Sequence, residues 1–296
     1  MLITDSTNII HICKKEREYF SDIIKDLHYE IKGIFNSELL FLCSLSKFLN
    51  VRNIIESGRA RGYSTEVLSR FFKDDPLVRI YSIEYLKYSK DSIIALKKLY
   101  KYGNLRFFFG NSFSILPHFT HFGSNVVLID GPKGKHAVQL ASLLLRNPLV
   151  KAVFIHDLHK DTEIRSIVEK NYPIVFSTDN LKFVKIFNGL DKPCWDVYSD
   201  RGPFRRGEVK MKSYGPTLTM ILNNEKGIDN EKRIRDLLDL EPICITKNPV
   251  KIALRRMKCS VPKKSEVPLF LRYYKELIRY KLFSRINFSE NKKADK

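Results

Sequence analysis

Residues 51–72, VRNIIESGRARGYSTEVLSRFF, restrict the fold of this chain more than any other stretch. An apolar run (Val51, Ile54, Ile55) ends in an acid, Glu56, and two glycines follow, Gly58 and Gly62. Tyr63-Ser64-Thr65 then opens a helical pattern that places Val67, Leu68, Phe71 and Phe72 on one side. Strand, tight glycine turn and helix make the first unit of a nucleotide-type α/β domain. Glycine lets the backbone turn sharply and come close to a ligand. The amides at a helix start favour an anionic group. The stretch therefore predicts a small-molecule site beyond a first strand. It is not the dinucleotide fingerprint G-x-G-x-x-G, because Ala60 stands where the middle glycine belongs.

The downstream pattern extends this unit. Residues 77–84 read as a second strand ending in Glu84, placed as a ribose-binding acid would be. Residues 88–102 read as a helix, 105–110 as a third strand followed by Asn111-Ser112, and 125–130 as a fourth, nearly all apolar and so buried on both faces. That strand ends in Asp130-Gly131-Pro132-Lys133, and a helix over 134–146 follows. A fifth strand, 152–155, ends at His156-Asp157 and leads to a helix over 162–171 with Asp161 as its candidate cap. Alternating strand and helix gives a doubly wound, Rossmann-like, mostly parallel sheet. Ligands in such sheets bind beyond the carboxyl ends of the strands, and Glu56, Glu84, Ser112, Asp130 and Asp157 all fall there.

The flanks are less regular. Residues 14–35 carry apolar residues at helical spacing, and a second apolar helix over 37–49 starts on Ser37 as cap. These define an N-terminal helical cap over 1–50, ahead of a main domain over 51–222. Past Pro173, residues 182–187 and 217–222 read as strands, the second supplying a C-terminal antiparallel strand. The intervening loop, with Trp195 and a basic run over 201–206, has the length of a lid. A basic extension over 223–296 completes the chain. In it, residues 268–286 form an aromatic, amphipathic stretch that suits docking on the domain, a partner or an anionic membrane surface. A homo-oligomer is compatible with all of this.

Net charge is +19 among 296 residues, which raises the question of nucleic acid. Residues 247–296 hold 15 Lys and Arg against four Asp and Glu, so most of the surplus belongs to the tail. Five scattered cysteines without C-x-x-C spacing fit reduced thiols in a cytoplasm and argue against zinc. No apolar run reaches the roughly 18 residues of a membrane span.

On these residues the chain resembles class I S-adenosylmethionine-dependent methyltransferases, and within them the catechol O-methyltransferase-like branch, over about residues 51–160. Glu56-x-Gly58-x-x-x-Gly62-Tyr63-Ser64 looks like the branch's turn around the methionine part of the cofactor. Ile83-Glu84 is similar to its ribose acid, and Gly110-Asn111-Ser112 to the segment beside the adenine. Asp130-x-x-Lys133 repeats a D-x-x-K in which the Asp binds magnesium and the Lys is the base. Asp157 matches the first residue of an Asp-Asn metal pair. The resemblance thus implies cofactor contacts from Glu56, Gly58, Gly62, Tyr63, Ser64, Glu84, Ser112 and Asp130. It implies magnesium on Asp130 and Asp157, and catalysis by Lys133 and Asp130, with His156 and His136 as rival bases. The sequence departs from the branch at Leu158, which cannot ligate a metal, and leaves His156 or His159 as substitutes. The implied activity is methyl transfer to a hydroxyl of a small molecule or a glycan sugar. The alternatives are an RNA ribose methyltransferase using the basic tail, and a scaffold without catalysis.

Overall fold

The computed structural model describes residues 6–30, 32–201, 217–223 and 230–241. The stretches 268–286 and 291–296, and nearly all of the basic run over 201–206, lie outside them. Seven strands form one sheet: β1 (Asn53–Ser57), β2 (Arg79–Glu84), β3 (Leu105–Phe109), β4 (Asn125–Ile129), β5 (Val150–His156), β6 (Val175–Ser177) and β7 (Leu218–Leu222), in the order β3-β2-β1-β4-β5-β7-β6. Strands β1 to β5 run parallel to one another, while β7 runs antiparallel to both β5 and β6. This is the doubly wound, Rossmann-like sheet with a C-terminal antiparallel strand that the sequence implies. Its order reverses beside β1, so the carboxyl ends of β1 and β4 flank the crevice where such sheets bind ligands.

Ten helices lie among the described residues, with the sheet between two layers of them. They are α1 (Ser6–Ile24), α2 (Asn36–Phe48), α3 (Tyr63–Phe71), α4 (Lys90–Leu99), α5 (Ser112–Phe119), α6 (Gly134–Leu145), α7 (Glu163–Asn171), α8 (Leu181–Phe187), α9 (Lys192–Arg201) and α10 (Glu231–Leu237). Alternate strand residues serve opposite faces, as the two-residue period of a strand requires. Ile54, Val126, Leu128 and Phe154 pack with α1 to α4, α8 and Cys194 of α9. Ile55, Val127, Ile129 and Ile155 pack with α5, α6, α7 and α10. None of the described helices is long and apolar enough to cross a membrane.

Helix α2 is covered almost all round, with Leu39, Leu40, Phe41, Leu42 and Leu45 each fully buried. Phe41 sits against Phe154 and Phe176 at 5.2 Å and Phe183 at 5.9 Å between ring centroids. Aromatic clusters of this kind add stability beyond the area they bury.

Several boundaries differ from the expectations. Helix α1 begins at Ser6 and ends at Ile24 rather than spanning 14–35, because its buried face already starts at Ile9 and the chain turns after Ile24. Helix α2 starts one residue before Ser37, with Phe35 at the cap position and its amide donating to Glu38 at 2.8 Å. The Ser37 hydroxyl instead donates to buried Asp191, in the 3-10 helix Asn188–Asp191, at 2.6 Å. Residues 182–187 belong to α8, not to a strand. Phe183 and Phe187, four apart, are both buried as one helix face, and Asn180 caps the start. Thr162 rather than Asp161 caps α7, accepting from the Arg165 amide at 3.2 Å. The expected loop over 188–216 is helical through Arg201.

Truncating Phe41→Ala should cost about 3–5 kcal/mol of unfolding free energy in urea titrations. Leu181→Ala, at a residue 80% exposed, should stay within about 0.5 kcal/mol.

Candidate active site

The glycine turn after β1 is built from the inside. Glu56 is fully buried, and its carboxylate accepts from the hydroxyls of Ser64, Thr65 (2.5 Å) and Ser82 (2.7 Å). Burial raises the Glu56 carboxyl above its ordinary range, although those hydroxyls and nearby Arg59 pull the other way. Arg59 is itself 2% exposed and lies over the rings of Phe107 and Phe109 at 5.2 and 5.0 Å. It donates to the Ser82 carbonyl at 2.9 Å. Tyr63 is buried too, its hydroxyl donating to Asn36 of α2 at 2.6 Å. So the side chains of Glu56, Tyr63 and Ser64, expected at the cofactor, are engaged inside the protein. They hold the first turn of α3 onto β1, β2 and α2. The backbone is what this segment offers a ligand: the residue before α3 is Gly62, at φ +81°, and no side chain caps the helix.

Glu84, at the end of β2, ties this turn down. One carboxylate oxygen accepts from the amides of Arg59 (3.0 Å) and Ala60 (3.1 Å), and the other from Tyr85 at 2.7 Å. Gly58, at φ +89°, brings the turn against the end of β4. A Cβ there would lie 2.8 Å from the Gly131 nitrogen, so no larger residue fits without shifting backbone. Ser112, at the start of α5, joins the same edge: its hydroxyl lies 2.6 Å from that of Ser57 and donates to the Gly131 carbonyl at 3.2 Å.

Beside this edge sits a cluster of charged groups. The Lys133 ammonium donates to Asp130 at 2.5 Å and to Asp157 at 2.6 Å, and lies 3.0 Å from Nδ1 of His156. His156 Nδ1 is 2.6 Å from the same Asp130 oxygen. Asp157 adopts φ +61°, a left-handed conformation that Asp tolerates better than most residues. Behind His156, on α2, is Glu38, 1% exposed, with a carboxylate oxygen 3.6 Å from Nε2. That is close enough for an ion pair and too long for a hydrogen bond. Sequence reading missed Glu38, because only the packing of α2 across the sheet end brings it to β5.

These neighbours set the charges. Burial works against the His156 imidazolium, but Asp130 and Glu38 outweigh it and push its pKa up to about 10. Burial likewise opposes the Lys133 ammonium and is outweighed by Asp130 and Asp157, so its pKa rises. Burial would raise Asp157, but His156 and Lys133 hold it below the usual carboxylate range. A lysine base needs a depressed pKa. Lys133, expected to be the base, is instead held as a cation. His136 lies exposed on α6.

Magnesium prefers hard oxygen ligands in octahedral geometry, and to reach the facing oxygens of Asp130 and Asp157 it would have to displace the Lys133 ammonium that contacts both. His156 Nδ1 is taken up by contacts to Asp130 and to the Lys133 ammonium, at 2.6 and 3.0 Å. Leu158 is buried in the apolar cluster beneath α6. Among the described residues, the ligand atoms lying within 4.8 Å of one another belong to Asp130, His156 and Asp157, and His159 is not among them.

No protein-family model matches the chain, and no curated protein matches it. Solved structures with a related fold are distant. One described as a putative O-methyltransferase from Klebsiella pneumoniae is 14% identical, covering 72% of this chain and 90% of its own, with a TM-score of 0.42. The O-methyltransferase TomG from Streptomyces achromogenes is 18% identical, covering 75% and 93%, with a TM-score of 0.39. An O-methyltransferase from Bacillus cereus is 16% identical over 75% and 93%, with a TM-score of 0.40. At such distances the function is read from the site itself.

The elevated His156 pKa has a thermodynamic consequence. A base whose pKa is higher folded than unfolded stabilises the fold below its unfolded value, near 6.5, and loses that contribution as pH climbs to about 10. The stability gap between wild type and Glu38→Gln should therefore be widest near pH 6 and shrink toward pH 10 in urea unfolding. A gap that stays constant over this range would mean that Glu38 does not hold the proton on His156.

Proposed function

We propose that this chain is an S-adenosylmethionine-dependent O-methyltransferase acting on a hydroxyl of a small molecule or of a glycan sugar. One observation carries the reading. The uncapped glycine turn of β1 lies against the Gly131 backbone, so the charged cluster of Asp130, Lys133, His156 and Asp157 stands beside the cofactor position.

The residues present fit the cofactor. The amides at the start of α3 suit a carboxylate, Glu84 stands at the β2 end where ribose hydroxyls are held in this kind of sheet, and Ser112 borders the same edge. S-adenosylmethionine supplies a methyl group on a sulfonium, transferred by in-line displacement that leaves a neutral thioether. The protein's share is to position the acceptor hydroxyl and to manage its proton. The Lys133 ammonium, half-exposed in its side chain, donates a hydrogen bond to the acceptor oxygen and lowers the cost of negative charge developing there. Asp157 is the more exposed carboxylate of the pair and is held ionised, and it accepts the hydroxyl proton as the new O–C bond forms. Asp130 and His156, joined at 2.6 Å, keep the ammonium in place. Lys133 thus acts as an electrostatic donor in this reading, and magnesium has no part in it. The scattered cysteines, of which Cys13, Cys43 and Cys194 are buried free thiols, suit the cytoplasm as its setting.

Calorimetric titration of the purified chain with S-adenosylmethionine and with its demethylated product tests the reading. Dissociation constants in the micromolar range are expected, about −8 kcal/mol. Glu84→Ala should weaken both at least tenfold, about 1.4 kcal/mol, while Lys133→Met should leave both within a factor of about three. Absence of binding by the folded wild-type protein would remove the methyltransferase reading.

A further inference from the structure

We propose that the Lys133 side chain is a built-in cation, occupying the position between Asp130 and Asp157 that a divalent metal would take, and that removing it exposes a latent metal site. The proposal goes beyond methyl transfer, because it concerns only how the cluster balances its own charge.

Two observations carry it. First, the ammonium contacts one oxygen from each carboxylate at 2.5 and 2.6 Å, and these are the oxygens that converge with His156 as candidate ligands. A metal bound to them and the ammonium cannot share that space. Second, a divalent ion entering beside the ammonium without displacing it would set like charges in contact in a partly buried site, a costly change.

The geometry also says what deletion of the lysine does. Without the ammonium, two carboxylates face each other across a gap with an imidazole beside them, all three ligand atoms within 4.8 Å. Uncompensated carboxylates at that spacing recruit a cation, and hard carboxylate oxygens suit manganese.

Manganese(II) binding to the full chain, followed by the loss of the free-ion electron paramagnetic resonance signal and by calorimetry, decides the matter. The probe is manganese chloride alone. Wild type should show no saturable binding up to about 1 mM, some −4 kcal/mol. Lys133→Ala should bind one equivalent at least tenfold more tightly than any residual wild-type binding, and Lys133→Ala combined with Asp130→Asn should lose it. Saturable micromolar binding by wild type that disappears in Asp130→Asn overturns the proposal. So does a Lys133→Ala protein that is folded by circular dichroism yet binds no manganese, since the lysine would then not fill a cation position. If Lys133→Ala does not fold, Lys133→Met carries the same comparison. Cofactor is absent from every arm, so failure here leaves the cofactor titration standing, and failure there leaves this result intact.

Discussion

The contact of the Gly58 turn with the Gly131 backbone is the constraint on which the site depends. Strands β1 and β4 are neighbours, paired in parallel from Asn53 against Asn125 to Ser57 against Ile129. Beyond their last residues both chains must turn, and they turn toward each other. The Asp130 and Gly131 amides donate to the Ser57 carbonyl at 2.8 and 3.0 Å, so the sheet pairing continues one step past the strands. Only glycine at 58 permits this, since any Cβ would press on the facing backbone. The glycine turn and the charged cluster are therefore fixed relative to each other by backbone, not by flexible side chains. Reacting groups must be held to within a fraction of an ångström, and backbone contact achieves that more securely than a salt bridge.

The interior supports that turn with polar groups that are costly to bury singly. Glu56 and Arg59 are both nearly inaccessible to solvent. A buried carboxylate is tolerated when its oxygens are hydrogen-bonded, and three hydroxyls from α3 and β2 do so here. The Arg59 guanidinium lies over two aromatic rings of β3, where cation–π attraction offsets part of its lost hydration. Together they link β1, β2, β3 and α3 beneath the glycine turn. Replacing one partner would strand the other, which is the expensive way to break a buried polar set.

Much of this was legible in the sequence, for reasons that can be named. Strands β1, β4 and β5 carry short apolar runs, Ile54-Ile55, Val126 to Ile129 and Ala152 to Ile155, each ended by an acid or a histidine, a pattern that survives without structural context. The positions of Glu56, Asp130 and Asp157 at strand ends followed from that. What direction each side chain takes did not. Glu56 and Ser64 fit a binding motif by spacing, yet spacing is blind to whether a carboxylate at a strand end faces out or into the core. Residues 182–187 satisfy both a strand and a helix period, and burial of Phe183 with Phe187 decided for the helix. Strand β6, three residues long, and helix α5, with Pro117 inside it, carry too little pattern to be read locally. Glu38 was invisible for a different reason. It is 118 positions from His156 in sequence, and only tertiary packing makes them neighbours.

Leu158 and Lys133 are best understood together. A metal site at the ends of β4 and β5 needs a third oxygen ligand next to Asp157 and free carboxylates across from it. Here the residue after Asp157 turns into the apolar core, where a polar amide would have to give up its hydrogen bonds at a cost of about 1–3 kcal/mol. With no third ligand, two facing carboxylates would repel each other unless some cation lay between them. The lysine meets that need from within the chain, reaching from the start of α6 to both acids, while Asp130 and Glu38 raise the pKa of His156 behind them. A tethered ammonium differs from a metal ion in what it does to a bound hydroxyl. It donates one hydrogen bond and one unit of charge, so it assists charge development less strongly than a divalent ion. Such a site suits acceptors whose hydroxyl is already acidic, or ones whose proton leaves to a neighbouring carboxylate as the bond forms. Asp157, ionised and at the solvent side of the cluster, stands where that proton would go.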